Sequence, residues 1–139
     1  MNRLLLYLMV FLISGCYTSK SALQPTYNKG GFILNKYNSK ALTIADSIVI
    51  VGKISALNKK AMLVAPTIKY GCISQRADSG GYLIKTKAAD IKLQLSATAV
   101  GYLAVETEPL ITQIGDSIVV NFYLTPDERP LLNCEGNIK

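Results

Sequence analysis

Apolar and polar residues alternate without a break from Ile91 to Val100. Ile91, Leu93, Leu95, Ala97 and Ala99 take every second place, and Lys92, Gln94, Ser96 and Thr98 fill the gaps. Successive side chains on a strand point to opposite faces, so this spacing predicts a strand with one buried and one wet face. The same rhythm recurs along the chain. Ser47 to Ala56 sets Ile48, Ile50 and Ile54 on one face with Gly52, and Val49 and Val51 on the other, which suggests cover on both sides over part of its length. Met62 to Cys72 predicts a second strand with Val64, Ile68, Tyr70 and Cys72 in one register. Pro66 cannot donate to a ladder and places that point on an edge or at a bulge. Asp78-Ser79-Gly80-Gly81 predicts a tight turn, since Asp bonds its own backbone and Gly accepts positive φ. Tyr82 to Lys87 follows with Tyr82 and Ile84 inward, then 91–100, a short strand at 103–107 and another at 109–115. Ser117 to Leu124 closes the set with Ile118, Val120, Phe122 and Leu124 inward.

About seven short strands, with turn signals between them and no convincing helix, predict an all-β sandwich. The domain is expected over 46–126, followed by a tail at 127–139. Ahead of it, 16–45 reads as a tether with a candidate first strand: residues 17–31 are polar and end in Gly30-Gly31. The four residues Asp46-Ser47-Ile48-Val49 are echoed by Asp116-Ser117-Ile118-Val119, two similar strand starts too short to count as a repeat.

The first 15 residues have a different character. Arg3 precedes ten apolar residues, Leu4 to Ile13. That run is too short to span a bilayer, which takes about 20 residues. It has the layout of a cleaved secretory signal. It ends in Ile13-Ser14-Gly15-Cys16, which resembles the lipobox of bacterial lipoproteins, with Ile in place of the usual Leu. The resemblance implies cleavage before Cys16 and lipid, palmitate among it, on the Cys16 sulfur and amine. Each buried methylene contributes about 0.8 kcal/mol, so several acyl chains make a durable anchor. The address expected is the bacterial cell envelope. Tyr17 stands where an Asp favours the inner membrane, so the outer membrane is expected.

Val51-Gly52-x-Ile54, Pro66-x-Ile68-x-Tyr70, Asp78-x-Gly80-Gly81-Tyr82, Leu95 to Val100-Gly101-Tyr102 and Val120-x-Phe122-x-Leu124-x-Pro126 together resemble the carboxypeptidase regulatory-like domain, an Ig-like, prealbumin-like sandwich. The likeness covers about residues 48–126. Gln75-Arg76-Ala77 replaces the Thr usual before the Asp, and an extra Gly widens the turn. The resemblance implies a non-catalytic accessory or binding module.

Charge and chemistry narrow the functions further. Without the leader, 14 basic residues face 9 acidic ones, scattered rather than clustered, and Lys59-Lys60 is the one adjacent pair. This describes a solvated surface and gives no expectation of nucleic-acid binding. The chain has no histidine, which excludes His triads and His-ligated zinc. No Gly-rich loop joins a strand to a helix, so no phosphate cradle is expected. Asp78, Asp90 and Asp116 sit at predicted turns. Glu106 and Glu108 would share a strand face and could meet a cation, though a solvated edge explains them as well. The tyrosines could form a sugar-binding platform, with core and edge packing as the plainer reading. The function expected is therefore a non-catalytic, lipid-anchored module, with no cofactor, that binds an envelope protein. The alternative is a carbohydrate- or peptidoglycan-binding lipoprotein, and an enzyme using carboxylates or tyrosines stands behind both. With Cys16 lipidated, Cys72 and Cys134 remain as a candidate disulfide in an oxidising compartment.

Overall fold

A computed structural model describes residues 22–26, 30–38, 47–58, 61–87 and 92–129. The leader, Cys16, Tyr17, Tyr27, Lys59-Lys60, Asp90 and Cys134 lie outside the described residues. Among the described residues nine strands are present: β1 (Gln24–Pro25), β2 (Gly30–Asn38), β3 (Ile48–Ala56), β4 (Val64–Tyr70), β5 (Ile73–Arg76), β6 (Gly81–Thr86), β7 (Leu95–Val100), β8 (Val105–Glu106) and β9 (Asp116–Leu124). They form two sheets. Sheet A has the order β1-β2-β9-β3-β6, and sheet B the order β5-β4-β7-β8. The chain is an all-β sandwich, and the seven strands β3 to β9 fall within the expected domain range.

The alternating patterns decide what is inside. On β9, Ile118, Val120, Phe122 and Leu124 are buried; on β3, Ile48, Ile50 and Ile54; on β6, Tyr82 and Ile84. Sheet B answers with Ile68, Leu95, Ala97 and Val105. Phe122 lies at the centre, with the Phe32 ring centroid 6.2 Å away and that of Tyr82 6.4 Å away, both tilted. Tilted contacts suit the ring quadrupoles.

β3 and β9 run parallel at the middle of sheet A, and all other pairings are antiparallel. The parallel ladder is interrupted between Val51↔Val119 and Ile54↔Phe122. Gly52 is the reason. It faces Tyr82 across the β3–β6 pair, and a Cβ here would overlap the Val120 carbonyl oxygen and crowd the tyrosine. Because Gly52 has no side chain, the Tyr82 hydroxyl crosses β3 and donates to the Val120 carbonyl at 2.6 Å. One residue on, the Lys53 amide donates to Asn121 Oδ1 at 3.1 Å. Two side chains thus take over the bonds that the ladder drops. Burial raises the Tyr82 pKa well above the ordinary phenol value, so the hydroxyl remains a donor across the physiological range.

Several expectations change. Gly30-Gly31 opens β2 rather than ending a tether. Gly30 has φ +102, and a Cβ on either glycine would run into the backbone of β9 or β1. β2 then pairs with β9 along its whole length, from Gly30↔Leu124 to Asn38↔Asp116. The strand expected at 62–72 divides in two. Gly71, φ +55, and Cys72 make a two-residue hairpin turn, and Tyr70 pairs directly with Ile73. Val64 and Cys72 are therefore exposed rather than in the inward register. Pro66 lies at a bulge, as its missing amide requires: the β4–β7 register shifts between Val64 and Thr67, and Ala65 has φ 48.

Residues 109–115 form no strand beyond a single bridge, Leu93↔Leu110. Pro109 lacks a donor, and Gly115 (φ +86) turns the chain, leaving Ile111 and Ile114 exposed. β7 is shorter than its pattern because the ladder ends at Leu95. The Leu95 amide donates to Thr107 Oγ1 at 3.0 Å, and the Thr107 amide donates to the Leu95 carbonyl.

Candidate functional site

A groove of about 750 Å³ opens at the corner where the end of β3 meets the start of β4. Two features of the sequence build it. The bulge at Ala65 and Pro66 shifts the β4–β7 register between Val64 and Thr67, and the Pro66 carbonyl accepts the Ala77 amide at 2.8 Å. The Asp78–Gly81 turn, with φ 51 at Ser79 and 81 at Gly80, lays the Gly80 backbone against β3, where the Ile54 amide donates to the Gly80 carbonyl at 2.7 Å. A Cβ at Gly80 would press on the Ile54 carbonyl oxygen. The floor is therefore fixed backbone. Lys53, Ser55, Met62, Arg76, Ser79 and Tyr123 supply the chemistry of the wall. Met62 is almost fully exposed at the rim. Asp78 also lines it, so two cations, one carboxylate, hydroxyls and an adaptable thioether make a mixed polar wall that suits a hydrogen-bonding partner. The groove joins positions far apart in sequence, and only the Asp78 turn and Pro66 signalled it.

The carboxylates are placed elsewhere. Asp116 is buried at the start of β9. Its Oδ2 lies 2.7 Å from Lys36 Nζ and accepts the Gln113 amide at 2.6 Å, which ties the 113–116 turn to β2. Its Oδ1 is buried without a partner among the described residues. Asp116→Ala would leave the Gln113 amide without its acceptor and the Lys36 ammonium with the Ile111 carbonyl alone. It is expected to cost about 1–3 kcal/mol, and Asp116→Asn less, by urea denaturation. Glu106 and Glu108 are exposed on either side of buried Thr107, but only Glu106 is on a strand, and Glu108 lies beyond the end of β8. Ser96 Oγ approaches Glu106 at 3.5 Å. Among the described residues no group of three His, Cys, Asp or Glu side chains gathers to hold a metal. Asp127 is held by Arg129 in a two-toothed contact at the chain's surface, which lowers its pKa to about 2.

The tyrosines are dispersed. Tyr82 is in the core, Tyr70 and Tyr102 pack against it, and Tyr37 and Tyr123 stand near opposite ends of sheet A's outer face. Cys72 is exposed on the β4–β5 turn. Pro126 bridges Tyr102 at the opposite end of sheet B, so a tail reaching Cys72 must run the length of that sheet. No protein-family model matches the chain, and searches of characterised proteins and of solved structures give no match either.

Proposed function

We propose that this chain is a non-catalytic, lipid-anchored module of the bacterial cell envelope, held on the outer membrane through Cys16, that binds an envelope protein at the corner groove. The observation that carries the reading is the order of features at the N-terminus: Arg3, an apolar run, Ile13-Ser14-Gly15-Cys16, and then a first strand within about eight residues. The likeness to the carboxypeptidase regulatory-like domain supports the same reading. Gly52, Gly80 and Tyr82, which carry that likeness, are the residues that join β3, β6 and β9. The carboxylates with defined partners also have structural employment, Asp116 above all.

Crosslinking in the native membrane tests the binding claim. The chain is expected to capture an envelope protein, and Arg76→Glu is expected to weaken that capture at least about tenfold by reversing a charge at the groove wall. Capture unchanged by Arg76→Glu, or recovery of sacculus glycan in place of protein, contradicts it.

We propose further that Cys72 and Cys134, the latter outside the described residues, are bonded in the oxidising envelope. By chain entropy the closed loop of roughly 60 residues is worth about 4 kcal/mol. Non-reducing peptide mapping, with thiols blocked before lysis, is expected to recover the Cys72–Cys134 pair. Two blocked free thiols contradict it.

A further inference from the structure

We propose that the outer face of sheet A is a membrane-docking face that takes the phosphate headgroups of an anionic bilayer. The proposal deepens the lipid-anchored reading, on which it rests for the bilayer's nearness.

Strand register sets out the face. One row across the sheet is Leu83, Val51 and Val119, paired side by side from β6 through β3 to β9. The next is Lys85, Val49, Ser117 and Tyr37. Ile33 lies on the same side of β2, opposite Asn121. These valines and Ile33 are only half-buried, while Leu83 is 48 % and Tyr37 56 % exposed. The solvent face of a sheet is ordinarily polar, so a half-buried to exposed run of Leu, Val and Val, with Asn35 of β2 as the polar member of the row, departs from the rule. Leu23, 39 % exposed, leans over Gly31 and extends the apolar area toward the N-terminus.

The charges on this face have one sign. Lys53 and Lys85 flank the apolar row, Lys87 continues the alternation, and no carboxylate stands in these rows. The outer face of sheet B differs in its charge: Lys69, Arg76 and Glu106, of both signs, are spread among Ser74, Ser96, Thr67 and Thr98, with one exposed apolar pair, Val64 and Val100, at its end. A second copy of this face is a poor occupant, because two such faces would bring lysines together. An anionic bilayer satisfies both parts. Its phosphates meet the lysines, and its interface accepts Leu83 and the tyrosine ring.

The anchor puts the bilayer within reach. Gln24 begins β1 only about eight residues after Cys16, which at full extension allows at most about 25–30 Å. A domain acylated at Cys16 cannot stand far off the membrane, so one surface must lie against or beside it. Leu23 leads directly from the N-terminus onto the face described.

The test omits the anchor, so that it succeeds or fails independently of acylation. The chain from residue 17 onward, which contains every described strand, is mixed with vesicles of phosphatidylcholine or of phosphatidylcholine with phosphatidylglycerol. Binding is expected only to the anionic vesicles, weakening as salt rises. Lys53→Gln, Lys85→Gln and Lys87→Gln together should reduce it about a hundredfold, about fivefold for each lysine. Leu83→Gln should reduce it further, and Lys69→Gln on the other face should leave it nearly unchanged. Thermal melts confirm that each variant folds. Equal binding to neutral vesicles, equal loss from the sheet B variant, no binding at all, or a dimer in sedimentation that shields Leu83 overturns the proposal. Acylation is read separately by mass, so an unlipidated Cys16 beside intact vesicle binding would sink the anchor and leave the face standing.

Discussion

Gly52→Ala is expected to destabilise the domain by at least about 3 kcal/mol, a large share of the roughly 5–15 kcal/mol that holds a domain folded. The added carbon has no free volume. It would overlap the Val120 carbonyl oxygen and meet the Tyr82 hydroxyl. Relief requires β3 and β9 to part at the middle of sheet A, which also breaks the Tyr82–Val120 bond of 2.6 Å and strains the Lys53–Asn121 bond beside it. Tyr82→Phe separates the two effects. It keeps the ring against Phe122 and removes only the donor, leaving a buried carbonyl unpaired, for about 1–3 kcal/mol. Urea denaturation of the three proteins should rank wild type, Tyr82→Phe and Gly52→Ala in falling order. Gly52→Ala as stable as wild type would mean that β3 and β9 are not in this register.

Leu95→Ala is the second large effect, at about 2–5 kcal/mol. Leu95 is fully buried in sheet B, and both its amide and its carbonyl are bonded to Thr107. The neighbouring strands are held on both sides, so the cavity cannot close easily. Gln94, one residue earlier, is exposed, and Gln94→Ala should change stability by well under 1 kcal/mol. The contrast tests the alternation itself. Equal, small losses in denaturation would mean that the face assignment of β7 is wrong.

Where sequence reading succeeded, a local rule decided the structure. Period-two alternation placed Ile118 to Leu124, Tyr82 and Ile84, and Leu95 and Ala97 on the inner faces. The turn at Asp78 and the bulge at Pro66 followed from residues with few backbone choices. It failed where structure depends on a distant partner. β2 bears out the candidate first strand of 16–45, but only Phe32 and Leu34 are apolar inner positions before Lys36, so its full length comes from β9, some ninety residues later in the chain. β5 is the polar edge Ile73-Ser74-Gln75-Arg76, exposed over most of its length, and has no inward pattern to read. The Asp-Ser-Ile-Val echo marked two strands that lie side by side and parallel, with Ile50 beside Ile118, a stagger of two residues that no local rule supplies. The groove was illegible for the same reason. Lys53, Arg76 and Tyr123 meet only after both sheets have formed.

The uncovered valines of β3 carried a signal that was read in one direction only. Val49 and Val51 opposite a buried isoleucine face suggested cover on both sides, and they are half-buried on a face where Leu83 and Tyr37 are exposed. Apolar residues on the outer side of a sheet call for an occupant, and the lysines beside them restrict which chemistry it can have.

The central claim is that this sandwich is carried on a membrane by lipid at Cys16. Intact mass spectrometry of the protein taken from envelope membranes, with sequencing of its N-terminal peptide, tests it most directly. The account predicts a chain that begins at Cys16 and is heavier than its sequence by a thioether-linked diacylglyceryl group, with or without an amide-linked acyl chain. An unmodified N-terminus at any other residue, or a Cys16 that carries no lipid, would contradict it.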